Sequence, residues 1–331
     1  MGELTHVIRQ QEMPEGSMGY TIGNFAANHF AVMKSALRPV LTLADTAHTV
    51  LGTKAMSTIT GGMHSLLNIP LWTPAMPKAF HVDKHLEARQ PKEKNKVVYF
   101  PSCINQTMGL PHKSPEEMAL VNKMVSLLNK AGYEIVFPKN MDKLCCGTIW
   151  ESKGMMDIAD RKSKELEEAL WAASEEGKWT VLCDQSPCLH RMRETIKKMH
   201  LYEPAEFIYT FLRDRLAFTP INEPVAIHIT CSMRRMGLGD TIVTLAKLCS
   251  TDVFVPEEVG CCGFAGDRGF THPEVNKYAL RKLRPQLEKK GIRMGYSNSR
   301  TCEIGLTTNS GIPYESIVYL VDQCTTSKDK A

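Results

Sequence analysis

The chain has no run of 18 apolar residues, so no segment reads as a membrane-spanning helix. Its first twenty residues, MGELTHVIRQQEMPEGSMGY, lack a basic stretch followed by an apolar one, which argues against a secretory signal. Charge of one sign is scarce: a net +4 over 331 residues, with no block of five or six basic side chains, gives no case for nucleic acid. No G-x-G-x-x-G frame is present, and GLGD at 237–240 does not supply one, so a dinucleotide site is not expected. No Ser-His-Asp set or carboxylate pair stands out, and hydrolysis is not expected. Cysteine, in contrast, is abundant. The chain carries eleven, an odd number, including two adjacent pairs. Adjacent cysteines seldom bond to each other because the ring is strained. The better reading is a reducing, cytoplasmic compartment and metal binding.

Residues 1–94 read as a helical connector or docking arm. Phe25, Phe30, Met33, Leu37, Leu41 and Leu43 recur at roughly helical spacing, and Pro39 is expected to kink or break the run. Gly61-Gly62 is expected to interrupt a second helical stretch over Thr46 to Leu67, and IPLWTPAMPKAF reads as extended. The charged stretch KHLEARQPKEKNK at 84–96 reads as a linker.

Beyond it the chain repeats itself, over 95–220 and again over 221–325. Each copy opens with an apolar strand, VVYF (97–100) or VAIHI (225–229), followed by Cys103 or Cys231. Met-Gly comes next, at Met108-Gly109 and Met236-Gly237, then a helix, then a short strand ending in proline (EIVFP, DVFVP). Cys-Cys-Gly follows at Cys145-Cys146-Gly147 and Cys261-Cys262-Gly263. A longer helix (about 155–176; about 273–290) leads to a third strand, WTVLC or RMGYS, then Cys188 or Cys302, then a final helix. The alternation predicts an α/β fold: two tandem modules with parallel sheets, related by a pseudo-two-fold axis, with the cysteines at the C-terminal ends of strands.

Four sulfurs recur in each copy: Cys103, Cys145, Cys146 and Cys188, then Cys231, Cys261, Cys262 and Cys302. Thiolates are the soft ligands of iron–sulfur clusters and zinc, and four complete either a cubane or a tetrahedral site. Zinc sites usually present two short Cys-x2–4-Cys knuckles, which are missing, so iron–sulfur is preferred and zinc is the alternative. Cys183 could add a fifth sulfur in the first copy, where the second has Ser297. Cys249 and Cys324 have no counterparts and read as core residues.

The paired pattern resembles the cysteine-rich CCG domain found in heterodisulfide reductase, in anaerobic glycerol-3-phosphate dehydrogenase, and in glycolate and lactate oxidation complexes. FPSC, CCG, SPC and SNSRTCEIGL are most similar to the C-terminal part of FAD-linked D-lactate dehydrogenases of the cytochrome- or quinone-linked type. LADTAHTVLGT and PLWTPAMPK are similar to the connector preceding it. The resemblance implies one or two [4Fe–4S] clusters on the eight cysteines, an FAD-binding dehydrogenase subunit as partner, and electrons passed to a quinone or cytochrome. It also implies peripheral attachment to a membrane, with the arm as docking element for partner or membrane. Two departures matter. The family pattern usually ends in Cys-x2-Cys, whereas Gln185 and Ser299 stand three residues before Cys188 and Cys302. Four-thiolate clusters therefore fit better than a five-cysteine noncubane cluster. The FAD domain and ferredoxin-like segment of complete dehydrogenases are missing from this sequence, which leaves the flavin to another polypeptide or to a longer chain.

His190 and His228 lie near the cysteines, and His228 reads as a satisfied core histidine. Arg191, Arg193, Arg234, Arg235 and Arg300 could raise a cluster's potential or lie on the surface. Trp72 and Trp150 read as packing residues. Two functions of other classes stay open: a zinc-bound or metal-free scaffold that assembles the dehydrogenase, and thiol–disulfide redox chemistry like that of heterodisulfide reductase.

Overall fold

The computed structural model describes residues 8–67, 69–82, 95–112 and 114–328. All but the last two residues of the stretch read as a linker fall outside them. Each module holds four parallel strands. In the first these are β1 (Lys96–Phe100), β2 (Glu134–Val136), β3 (Val181–Cys183) and β4 (Leu201–Tyr202). In the second they are β5 (Val225–Ile227), β6 (Val253–Phe254), β7 (Met294–Ser297) and β8 (Tyr314–Ser316). The sheet orders are β2-β1-β3-β4 and β8-β7-β5-β6, the same order read from opposite edges. Val97 pairs with Ile135 and Val98 with Val181; Val225 pairs with Val253 and Met294. Val97 through Phe100 are all buried, as both faces of a helix-covered parallel sheet require.

The helices used below are α1 (Met18–Asn28), α2 (Phe30–Leu67), α3 (Leu120–Lys130), α4 (Met156–Ala173), α5 (Ser186–Thr195), α6 (Cys231–Arg235), α7 (Gly239–Cys249), α8 (Pro273–Ala279), α9 (Leu283–Lys290), α10 (Arg300–Ser310) and α11 (Ile317–Gln323). Packing of α3 on α11 gives the modules one shared core, with Met124, Leu127 and Leu128 among Val318, Leu320 and Val321. Lys130 crosses the same boundary to Asp322 at 2.7 Å. Two antiparallel ribbons tie the chain together: Pro77–Ala79 on Met108–Pro111, and Leu216–Phe218 on Thr325–Ser327.

Several local expectations are corrected. Helix α2 continues through Pro39 and through Gly61-Gly62, and bends instead at Gly52, where φ is 76° and ψ 168°. Without a Cβ, glycine enters that region at little cost. The second long helix is two, α8 and α9. Proline at position 285 has no N–H and would clash with the carbonyl four residues back, so the helix restarts just before it. The two Met-Gly pairs also differ: Met108-Gly109 is strand, while Met236 ends α6 and Gly237 turns at φ +71°.

The arm lies on both modules: the Leu71 N–H donates to the Phe270 carbonyl at 2.6 Å and Thr73 Oγ1 meets Thr308 Oγ1 at 2.8 Å in the second, and the following contacts hold it to the first. The Trp150 indole N–H donates to Gly23 O at 2.9 Å, its ring meets Phe30 at 5.4 Å, and the Lys34 ammonium reaches Gln106 Oε1 at 2.7 Å. Arg38 and Asp45 also turn inward, to the Phe80 carbonyl and to His112. Met18, Phe25, Val32, Val40, Leu43 and Val50 are left exposed on the outward side.

Candidate metal centres

Each cysteine quartet is assembled by the same three pieces of chain. Cys103 follows β1, and Cys231 opens α6 behind its N-cap Thr230, so the first sulfur stands just beyond the first strand in both modules. Each Cys-Cys pair sits on a turn closed by a glycine with positive φ, +89° at Gly147 and +71° at Gly263. A Cβ on Gly147 would lie 2.4 Å from the Ala159 carbonyl oxygen in α4; one on Gly263 would lie 2.8 Å from the Val275 carbonyl oxygen in α8. Only glycine lets the loop press this closely on the helix. A side chain from that region then fastens the second cysteine's carbonyl. Ser163 donates to Cys146 O at 2.8 Å, and Asn276 to Cys262 O at 2.5 Å. The last cysteine is the third residue of a helix in both copies, Cys188 in α5 and Cys302 in α10.

All eight predicted sulfurs are gathered into two chains of contacting thiols. In the first, Cys145 lies between Cys103 and Cys146, and Cys146 between Cys145 and Cys188. In the second, Cys261 lies between Cys231 and Cys262, and the Cys262 and Cys302 sulfurs are 3.0 Å apart. The sulfur in receipt of two neighbours' S–H groups is favoured as thiolate. Hydrogen bonds from Cys145 and Cys188 hold Cys146 well below the usual thiol range, and those from Cys231 and Cys262 do the same for Cys261. Cys145 and Cys262, which give up those hydrogens, are pushed up.

Among the described residues, no three His, Cys, Asp or Glu side chains already stand in a metal-ready arrangement. The thiols touch. A sulfur pair at 3.0 Å is closer than the edge of about 3.8 Å that a Zn–S distance of about 2.3 Å imposes on a tetrahedral site. Either metal centre would require the sulfurs to part. The donor set itself, four soft ligands on a tight glycine turn beside apolar walls, fits an iron–sulfur cluster.

Cys183 ends β3 wholly buried, outside the thiol chain, with its S–H toward the Gln185 carbonyl at 3.9 Å; burial pushes its pKa up. Ser297 does occupy the equivalent strand end. His228 is buried, its Nδ1 is 3.1 Å from Ser297 Oγ, Nε2 has no partner among the described residues, and burial lowers its pKa to about 4. It is thus only half satisfied. His190 faces Glu194 at 3.5 Å. Arg191 is buried between Glu151 and Asp160, and Arg193 pairs with Glu206, whereas Arg234 and Arg235 are exposed. Trp72 and Trp150 are buried in packing contacts. Cys249 and Cys324, unmatched in the repeat, meet each other, with the Cys324 thiol 3.2 Å from Cys249 O.

The helices that carry the terminal cysteines meet across the module boundary. Gln185 and Ser299, the N-caps of α5 and α10, are hydrogen-bonded at 3.2 Å. The Arg300 backbone N–H donates to Gln185 Oε1 at 3.0 Å. Ser186 Oγ meets Ser232 Oγ, beside Cys231, at 2.8 Å; Arg300 Nε donates to Asn105 Oδ1, near Cys103, at 3.2 Å. The terminal helix of each module therefore abuts the first-cysteine loop of the other.

The profile of the CCG cysteine-rich domain matches residues 97–193 and 225–307, more than half of the chain. The chain belongs to the CCG cysteine-rich domain family. Both matched stretches carry all four recurring cysteines of their module. Membership is consistent with iron–sulfur binding. Among characterised proteins, the chain is similar to Lactate utilization protein A 1 of Bacillus mycoides (strain KBAB4), 22% identical over 210 residues that cover 58% of this chain and 84% of that protein. Solved structures with partial likeness include glutamate racemase from Aquifex pyrophilus, with TM-score 0.34, 12% identity, and coverage of 69% of this chain and 81% of that one. Another is Picrophilus torridus aspartate racemase, with TM-score 0.32, 8% identity, and coverage of 71% and 96%. Likeness at that level carries no argument about this CCG protein. No described helix is long and apolar enough to cross a membrane.

Proposed function

We propose that this CCG protein is the iron–sulfur electron-transfer part of a D-lactate or related 2-hydroxyacid oxidation system, with the flavin held by a separate domain or subunit. The convergence of four thiols on a glycine-closed turn, twice and in the same order, carries the reading. A cluster bound there would supply one-electron storage at a potential set by its protein surroundings. In the first site Cys103, Cys145, Cys146 and Cys188 would hold it; in the second, Cys231, Cys261, Cys262 and Cys302. The chain's own contribution is to position the sulfurs, to exclude water from the first site, where Cys145 and Cys146 are 1% and 2% exposed, and to place Arg300 between the sites as a buried cation. The similarity to a lactate utilization protein supports the substrate class. The apolar side chains that the arm leaves exposed, Phe25, Val32, Val40, Leu43 and Val50 among them, support an apolar partner surface, which this reading assigns to the flavin subunit. Quinone or cytochrome as acceptor, and a cytoplasmic place with peripheral membrane contact, belong to the same proposal.

Iron, acid-labile sulfide and zinc content of anaerobically purified protein, with an EPR spectrum after reduction, tests this. About four or about eight irons per chain, with matching sulfide, is the expected result. Stoichiometric zinc or no metal would sink it in favour of an assembly scaffold.

A further inference from the structure

The two sites differ in what covers them. In the first module the arm closes the side of the CCG loop: Trp150, three residues beyond Gly147, is 3% exposed beneath Phe30 and donates to Gly23 O. In the second module the side of the CCG loop that faces α8 opens instead into a cavity of about 390 Å³. Two cysteines of that module, Cys231 and Cys261, are exposed residues.

The cavity's chemistry is specific. Phe264 follows Gly263 directly, and its backbone N–H points to Cys262 Sγ at 3.5 Å. Its ring meets Phe270 nearly at right angles, 88°, with centroids 4.8 Å apart, and both rings line the cavity with Leu71 and Pro273. Such walls suit a flat ring, which can lie on one phenyl face and present its edge to the other. Lys277 and Glu274 stand at the mouth, one ammonium and one carboxylate, so the lining carries no net charge and suits an uncharged ligand. The Lys277 ammonium can donate to a carbonyl at the ligand's edge. Asn276, 3% exposed, binds the cavity wall to the sulfur loop: it donates to Cys262 O and accepts from Asn309 Nδ2, both at 2.5 Å.

We propose that this cavity, beside the second centre, is a binding site for a flat, uncharged ring with carbonyl acceptors at its edge, the chemistry of a quinone. The inference rests on the electron-transfer reading and adds to it which centre is the exit.

The test is calorimetric titration of anaerobic, oxidised protein with 2-methyl-1,4-naphthoquinone, with iron measured in every sample. Saturable binding is expected for the unaltered protein, weakened about tenfold in Phe270→Leu, where an aromatic wall is lost. Lys277→Ala, an exposed change that leaves the core intact, is expected to weaken it several-fold. Iron content should stay constant in both. Full iron with no saturable binding, or binding that neither substitution weakens, overturns the proposal and leaves the electron-transfer reading standing. Protein without iron or sulfide would defeat that reading, whereas the titration would still decide the cavity.

Discussion

Replacement of Gly147 by alanine tests whether the CCG turn is fixed by steric necessity. At φ +89° an L-residue costs about 1–2 kcal/mol relative to glycine. The added Cβ would lie 2.4 Å from the Ala159 carbonyl oxygen, 3.0 Å from its carbon and 3.1 Å from its Cα. These are backbone atoms of α4, so no rotamer change relieves the overlap, and displacement of a packed helix costs about 1–3 kcal/mol more. The expected loss is about 2–5 kcal/mol, read from the urea midpoint of metal-free protein at constant m-value. Gly61→Ala is the control. That glycine is helical with nothing within 4 Å of its virtual Cβ, and the change should stabilise by up to about 1 kcal/mol. A Gly147→Ala protein that loses less than about 1 kcal/mol and keeps its metal would refute the argument that the turn requires glycine.

Three further outcomes are expected. Cys146→Ser should remove about four irons and Cys262→Ser a different four; full iron in both variants would end the ligand assignment. Burial raises the Glu203 carboxyl to about 8, above its unfolded value of about 4.5, so the fold holds a proton that the unfolded chain has released. Stability should therefore be greatest below pH 4.5 for this group and decline as pH rises toward 8, by at most about 1.4 kcal/mol per unit; Glu203→Gln should flatten that slope in pH-dependent thermal melts. Arg191→Met should be strongly destabilising, by about 3–5 kcal/mol, because it leaves the mostly buried Glu151 carboxylate uncompensated at 3.0 Å from the lost guanidinium; a change under 1 kcal/mol in urea unfolding would contradict this.

Much of this arrangement was legible because it is written twice. The first three strands of each module, the glycine-closed cysteine pair and the terminal cysteine recur in order, and the structure places all eight sulfurs in two matched quartets. The fourth strands were not legible. Leu201–Tyr202 and Tyr314–Ser316 are short and, unlike EIVFP or DVFVP, present no run of β-branched apolar residues closed by a turn residue. Pro39 misled because a helix can survive proline when neighbours hold it, as Arg38 does through the Phe80 carbonyl. Cys249 and Cys324 looked unrelated because they break the repeat, yet each stands at the C-terminal end of a helix bordering the shared core, α7 and α11. That common position was the available signal for their meeting.

Gln185 and Ser299 show why the departure from Cys-x2-Cys has a structural consequence. The terminal cysteine is the third helical residue in each module, so the position three before it is necessarily the N-cap. The pseudo-two-fold brings those two N-caps face to face. A cysteine there would point a sulfur into a boundary where this chain instead makes a hydrogen bond at 3.2 Å and an amide contact from Arg300 to Gln185. The same two positions therefore cannot serve both as fifth ligands and as this joint. Because the joint connects α5 directly to α10, loosening either quartet must disturb the helix that carries the other. The modules, although repeated in sequence, are then expected to unfold in one transition, and loss of one set of sulfurs should shift the spectroscopic signature of the centre that remains.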